Sequence, residues 1–346
     1  MPYSFVGCKL INIKFSDAFH WLRKSRKCHP PSSDIWDFGR MWNTQSANII
    51  KSFRIGSYQF GVQKKIHLSS GETIALWSSP DALILKVLTF LMQDILKPYL
   101  SKNCYHLKGH GGLKKAVDEV MKKYDQYGFF IKTDVRSYYD SIDHHTLMMR
   151  LSEYVRDRNI LWYVWQFLRR TVEWGGLYED VKKGISRGSS LSPLLGAFYL
   201  LDLDKRIEKM DVKYFRHMDD ILILASTRWK LKRAIRVLNS TFDELKLEKH
   251  PDKTAMGRTE KGFDFLGFHF SPEGLSVAEK TIQKFLARAI RLYEQEQREP
   301  SGSPVLGLYV VRWERWVRCL ASSSTHSLDE FKFLSSQDPQ TSKSGD

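Results

Sequence analysis

"HMDDILILA", residues 217–225, sets two adjacent carboxylates against an almost wholly apolar run. The local reading is a β-hairpin turn. Asp is a favoured turn residue, and Tyr214, Phe215 and the Ile/Leu run suit two buried strands. The chemical reading is a metal site on a stiff hairpin tip, because hard cations such as Mg2+ take oxygen ligands held on rigid elements. A two-metal site needs a further carboxylate from elsewhere. Asp134 supplies a candidate: it closes the apolar strand pattern "FFIKTD", 129–134. It lies far from Asp219 in the chain, so only tertiary structure can join them.

The bulk figures bound the function. With 346 residues, 42% of them hydrophobic, the chain can bury a real core and form two or three subdomains. Lys and Arg number 54 against 39 Asp and Glu, a net charge of +15. A globular chain this basic is suited to a polyanion (RNA, DNA or anionic lipid), with binding that weakens steeply with salt. The plainer reading is a soluble, positively charged surface. No apolar run approaches a membrane span, and residues 1–25 lack a signal-peptide core, so a cytoplasmic protein without a membrane partner is expected. Cys8, Cys28, Cys104 and Cys319 are scattered with no CxxC pair, which fits a reducing compartment and argues against structural zinc.

Along the chain, residues 1–60 mix aromatic and basic residues without clear periodicity and are read as an N-terminal extension with a loop at "HPPSSD", 29–34. "GVQKKIHLSSGETIALW", 61–77, gives two short strands around Ser69-Ser70-Gly71. A long helix follows between Pro80 and Pro98. Asp143 is a plausible N-cap, and Asp140 a turn residue. "GGLYEDVKKGISRGSSLSP", 175–193, reads as a glycine-punctuated loop that starts a helix, with Ser192 as N-cap and Pro193 in the first turn. Ser276 and Glu279 form a capping-box pattern ahead of a helix with an apolar stripe (Phe285, Leu286, Ala289, Ile290, Tyr293) and a basic one (Lys280, Lys284, Arg288, Arg291). A last helix over 305–320 repeats this, with Arg312, Arg315 and Arg318 three residues apart. Residues 321–346 are Ser-rich and read as a disordered tail. Cys28-His29 and His144-His145 are read as structural.

Five stretches in order resemble the motifs of reverse transcriptases, from about residue 60 to 270. "IKTDVRSYYDSIDH" (131–144) is similar to the first palm motif, and "GISRGSSLSPLLGAFYL" (184–200) to the second, usually PQG then SP and a helix. "YFRHMDDILILA" (214–225) is similar to the YxDD box, and "EKHPDKTAMG" (248–257) and "GFDFLGFHF" (262–270) to the two elements after it. The flavour is that of the bacterial group II intron-like branch. The resemblance implies an α+β, right-hand polymerase: fingers and palm (antiparallel sheet plus helices) over 61–270 and a short helical thumb over 271–320. It also implies RNA-directed DNA synthesis from dNTPs on a DNA or RNA primer and an RNA template, with two Mg2+ ions that Mn2+ could replace.

By position, the resemblance puts Asp134 and Asp219 on the metals, with Asp220 in support and Val135 lending a backbone carbonyl. Tyr139 matches the aromatic gate against a ribose 2′-OH, with Tyr138 the competing position. Lys253 matches the lysine that protonates departing pyrophosphate, and Arg136 and Arg187 fall among the nucleotide contacts. "KNCYHLKGHGG" (102–112) resembles the template-contacting segment usually read as SYGFRPGRS, which places Lys108 on template phosphate. Lys284, Arg288, Arg291 and Arg312 would grip duplex, unless they are merely a solvated helix face. Each role has a plain rival: core aromatics for the tyrosines, an exposed turn for Lys253.

The pattern departs in three places. Arg187 replaces the usual Gln, and an Arg there would hold phosphate. "SGETIALWSSPD" (70–81) carries no basic residue, so Lys64, Lys65 or Arg187 must meet the triphosphate. His217 replaces the usual Tyr. Nothing resembles an HNH endonuclease and little chain follows the thumb region, so a minimal retroelement or antiphage defence enzyme, with a cognate non-coding RNA as a candidate partner, is expected. Untemplated or self-templated synthesis by the same site, and a catalytically silent RNA-binding protein on a polymerase scaffold, are the alternatives. Oligomeric state is not readable from the sequence.

Overall fold

The structure is a computed structural model that describes residues 8–67, 73–298 and 305–321. The Ser69-Ser70-Gly71 turn and the tail from residue 322 onward lie outside the described residues.

The N-terminal extension is more regular than its sequence suggested. It forms helices α1 (Cys8–Ser25) and α2 (Asp34–Arg54). Ile11, Phe15, Ala18, Phe19 and Leu22 are buried at three- and four-residue steps, the stripe of an amphipathic helix. The basic residues between them hide that stripe from a simple reading. Strands β1 (Gln63–His67) and β2 (Thr73–Leu76) follow, then α3 (Ser79–Leu96), on which α1 and α2 pack. α3 starts where expected: the Ser78 hydroxyl accepts from the Asp81 N–H at 3.2 Å, and Pro80 occupies the first turn.

Next come α4 (Gly112–Met121), β3 (Phe129–Thr133), α5 (Tyr138–Ser141), α6 (His144–Tyr154) and α7 (Arg158–Leu168). Asp143 caps α6 as its position predicted, accepting from Thr146 N–H at 2.8 Å. β4 (Thr171–Trp174) and β5 (Leu177–Asp180) form a hairpin whose turn and second strand lie in the stretch read as loop. Its turn, Gly175-Gly176, has φ of 58° and 84°, backbone that glycine adopts at least cost. α8 (Ser192–Tyr199) does begin at the Ser-Pro pair, but Ser192 is not its cap: Leu191 holds that position, and the Ser192 hydroxyl donates to the Ser186 carbonyl. Then follow α9 (Leu201–Glu208), β6 (Lys213–His217), β7 (Asp220–Ala225), α10 (Arg228–Glu244), β8 (Ala255–Arg258), β9 (Phe263–Phe265), β10 (Phe268–Ser271), β11 (Gly274–Val277), α11 (Glu279–Arg298) and α12 (Val305–Ala321).

These make a mixed helix and sheet fold. One sheet has the order β2-β1-β4-β5, a second β6-β7-β3-β8 and a third β11-β10-β9; among the described strand-to-strand pairings of these sheets, only β1 with β4 is parallel. The second sheet explains the unbroken apolar run after the two Asp residues. Ile221 and Ile223 join Ile131 in the core formed with the helices, whereas Leu222 and Leu224 join Phe130, Phe215, α4 residues and the phenylalanines of β9 and β10. A strand covered on both faces has no polar side to alternate.

The capping box at Ser276 does not form. Ser276 stays in β11 opposite His269, and α11 starts after Ala278, whose N–H donates to the Gly267 carbonyl at 3.0 Å. Strand pairing outcompetes the local cap. Phe285 stacks on Trp313 of α12 at 4.1 Å, while Leu286, Ile290 and Tyr293 of the expected apolar stripe remain exposed.

Candidate active site

β6 and β7 are joined by Met218 and Asp219, with His217 paired to Asp220. Met218 sits at φ 58°, a left-handed conformation that costs a side-chain-bearing residue roughly 1–2 kcal/mol. Distant groups hold it there. The His106 ring accepts the Met218 N–H at Nδ1, 2.9 Å, and Arg216 Nη1 donates to the Met218 carbonyl at 3.0 Å. Arg216 is itself fully buried. Its Nε donates to Asp204 Oδ1 at 2.7 Å, a second guanidinium bond reaches Asp204 Oδ2, and Tyr214 Oη donates to the same carboxylate at 2.7 Å. Burial alone would push the guanidinium down, but Asp204 beside it holds Arg216 firmly protonated.

Asp134 follows β3, the strand beside β7, and so stands next to the hairpin tip. The chain after β3 runs beside residues 248–250. His250 N–H donates to the Asp134 carbonyl at 2.8 Å, and Arg136 N–H to the Glu248 carbonyl at 2.9 Å. Thr133 and Thr254 share a hydroxyl hydrogen bond of 2.8 Å. This pairing aims the turn at 251–253 inward, so that Lys253 Nζ lies 2.6 Å from Asp134 Oδ2. Asp134 is buried and Lys253 is 59% exposed. The Asp219 carboxyl is pushed up to about 7, by burial first and then by the charge of Asp134. Asp220 is pushed up to about 6 by burial and Asp134, against the pull of Lys253 and Lys132. Two carboxyls pressed together and short of positive charge are a hard-oxygen donor set that a divalent cation would relieve. Among the described residues no three His, Cys, Asp or Glu side chains form a ready-made metal cage.

The two tyrosines differ sharply. Tyr138 is buried, its hydroxyl donating to the Gly196 carbonyl at 2.5 Å. Tyr139 is half-buried, and its hydroxyl is pushed up to about 12 by burial and then by Asp219. Its ring rests on α8 at Gly196, where an added Cβ would lie 3.0 Å from Tyr139 Cε1. Arg187 Nη2 pairs with Asp140 Oδ2 at 2.5 Å, next to Tyr139. Both line a cavity of about 1010 Å3 whose basic walls also include Lys65, Arg170, Lys182 and Lys183; Lys64 is not among its lining, nor are Asp134 and Asp219. Of the basic residues there, sequence reasoning had singled out only Lys65 and Arg187. The replacement of Gln by Arg187 was the one signal that a counter-charge such as Asp140 was needed.

Other candidates lie apart. Arg136 pairs with Glu248 at 3.5 Å and lines a smaller hollow with Lys246. Val135 is buried and bridges to Lys249. Lys108 is exposed on the loop before α4, and Lys284, Arg288, Arg291 and Arg312 are exposed on α11 and α12. His106 was overlooked. It donates from Nε2 to the Pro193 carbonyl at 3.1 Å, and burial, with Arg216 adding, pushes its ring down to about 3.

A carboxyl pair at the tip of a doubly covered antiparallel sheet, with a lysine on one acid, is a donor set able to hold a divalent cation. The reverse transcriptase (RNA-dependent DNA polymerase) family profile matches residues 80–270, more than half of the chain, and the chain belongs to that family. Among its relatives, the group II intron-encoded protein LtrA of Lactococcus lactis subsp. cremoris is 21% identical over 173 residues, 49% of this chain and 29% of LtrA. An uncharacterized 91 kDa protein in the cob intron of Schizosaccharomyces pombe is 25% identical over 174 residues, 48% of this chain and 21% of that protein. Protein YkfC of Escherichia coli is 21% identical over 227 residues, 54% and 60% of the two chains. The chain thus spans under a third of the length of either of these two intron proteins. Among the described residues no helix is long and apolar enough to cross a membrane.

Proposed function

We propose that the chain is an RNA-directed DNA polymerase that extends a primer 3′-OH with dNTPs on an RNA template. The observation that carries this is Asp134 at the end of β3 beside the hairpin tip that bears Asp219, with Lys253 on Asp134, in a member of this family. In this reading the β6-β7-β3-β8 sheet and its helices are the palm, the β2-β1-β4-β5 sheet belongs to the fingers, and α11 and α12 form the thumb. Asp134 and Asp219 would hold two Mg2+ ions, or Mn2+, with Asp220 and the Val135 carbonyl in support. When bound, such ions lower the pKa of a hydroxyl nucleophile and neutralise a pyrophosphate leaving group.

The remaining roles fall to side chains. Lys253 Nζ carries the proton given to the departing pyrophosphate oxygen. Tyr139 walls the sugar site against a 2′-OH; its half-exposed ring beside Asp219 supports it over Tyr138, whose hydroxyl is committed to the core. Arg187 exchanges Asp140 for triphosphate oxygens, aided by Lys65, Arg170, Lys182 and Lys183. Arg136 has a lesser part, because it faces Glu248. Lys108 meets template phosphate, and Lys284, Arg288, Arg291 and Arg312 meet the duplex. The similarity to intron-encoded proteins supports a retroelement origin, with a cognate non-coding RNA as template and defence as an alternative setting.

Primer extension on a defined RNA template tests the proposal. Wild type should add only the complementary nucleotide, and Asp219→Asn should lose roughly 1000-fold in rate, the scale of several kcal/mol of metal-borne charge stabilisation. Addition of any nucleotide without RNA would favour untemplated synthesis. Biological activity left intact by Asp219→Asn, with no extension by the wild type, would leave the RNA-binding reading.

A further inference from the structure

The turn bearing Asp219 has no local reason for its shape. Left-handed positions in two-residue hairpins favour Gly, Asn or Asp, and this one holds Met218. What fixes it comes from far along the chain. The Met218 N–H donates to Nδ1 of His106, so that nitrogen carries no proton. The ring proton therefore sits on Nε2, which donates to the Pro193 carbonyl at 3.1 Å. Pro193 lies in the first turn of α8, and one turn later Gly196 seats the Tyr139 ring. One imidazole in a single tautomer thus ties the Asp219 turn to the helix that backs Tyr139. A histidine that merely fills core would not bond backbone atoms of two segments 112 and 87 residues away, both bordering the site.

We propose that His106 is a positioning residue of the active site. It holds Met218 left-handed and sets Asp219 at a fixed height over Tyr139. Arg216 grips the Met218 carbonyl from the other side, so the turn is clamped at both polar atoms. His217 packs edge-on against the clamp, its ring centroid 5.9 Å from that of His106. The proposal rests on the polymerase reading of the carboxyl pair.

Substitutions separate clamp from filler. Asn can offer an acceptor near the place of Nδ1; Phe keeps the ring and its burial but offers neither bond. In single-nucleotide extension by the full chain, His106→Phe should lower kcat about 10- to 100-fold, as expected for a small misplacement of a reacting group. Nucleotide KM and primer-template affinity should stay within about 2-fold, because neither ligand is gripped by His106. His106→Asn should recover most of the loss. Equal defects in both variants, tracking a fall in Tm, would reduce His106 to core packing, and an unchanged kcat in His106→Phe would sink the idea outright. Hydrogen exchange at the Met218 amide reads the clamp without catalysis: slow in wild type and His106→Asn, fast in His106→Phe. Fast exchange in wild type would overturn the clamp whatever the activity. A protected Met218 in a wild type that extends no primer would instead overturn the polymerase reading, and the catalytic role of His106 with it.

Discussion

Tyr138 and Tyr139 are chain neighbours with opposite surroundings, and that difference carries a prediction about sugar choice. Tyr139 alone of the two has a face free to meet a nucleotide. Tyr139→Val should therefore admit ribonucleotides, cutting dNTP-over-rNTP discrimination by roughly 10- to 100-fold, the range one steric contact supplies. Discrimination measured with paired single nucleotides checks this, and an unchanged ratio would move the gate elsewhere. Lys253 gives a second residue-scale prediction. Its ion pair is more than half exposed on the lysine side, so it adds at most about 1 kcal/mol to stability. As a proton donor to pyrophosphate it is worth about 100-fold or more in rate. Lys253→Met should thus leave Tm nearly unchanged while extension slows by that factor; loss of both together would assign Lys253 a folding role only. Both residues stood out in the sequence because each belongs to a short motif with its own chemistry. Asp140 and His106 did not, since their meaning lies in partners, Arg187 and Met218, that no spacing rule connects to them.

Among the elements, legibility followed locality. The Asp143 cap of α6 needs only a side chain and the N–H three residues on, and the sequence announces it. The Ser276 capping box looked equally local but lost to strand pairing with β10, a contact the sequence does not display. α1 carried its apolar stripe too, but the basic residues between its members hid the period. The Asp143 cap also has a pH signature. Burial would push its carboxyl up, but the Thr146 hydrogen bonds and Lys246, 3.2 Å away, bring it down to about 2. A folded pKa below the unfolded value gives stability that is complete above about pH 4 and is lost as pH falls through about 2. Asp143→Ala should cost about 1 kcal/mol at neutral pH and nothing at the bottom of that window, which urea midpoints at stepped pH would show. The β6–β7 hairpin depends on a buried pair instead. Removing Asp204 strands the Arg216 charge at zero exposure, so Asp204→Ala should destabilise the protein by about 3–5 kcal/mol. Chemical denaturation measures this, and a cost near 1 kcal/mol would mean that Arg216 finds another partner.

For the whole molecule, the most readable feature was the charge and the least readable was where it acts. A net charge of +15 says that a polyanion is a suitable partner, but a sum has no location. The fold distributes it: basic side chains wall the large cavity beside Arg187, and others stand on α11 and α12 behind an exposed apolar stripe. A solvated helix face and a duplex grip look alike in sequence, and salt dependence separates them. Each lysine or arginine on a phosphate releases condensed counterions, so it adds about 0.7–0.9 to the slope of log affinity against log salt. Replacing Lys284, Arg288, Arg291 and Arg312 together by Gln should lower that slope by about 3 for a primer annealed to an RNA template, and weaken binding with little regard to sequence. The rate from saturating primer-template should change far less, because the four stand on α11 and α12 and not on the elements that carry Asp134 and Asp219. An unchanged slope would return the stripe to solvent and leave the cavity-lining cations as the main anchor of nucleic acid.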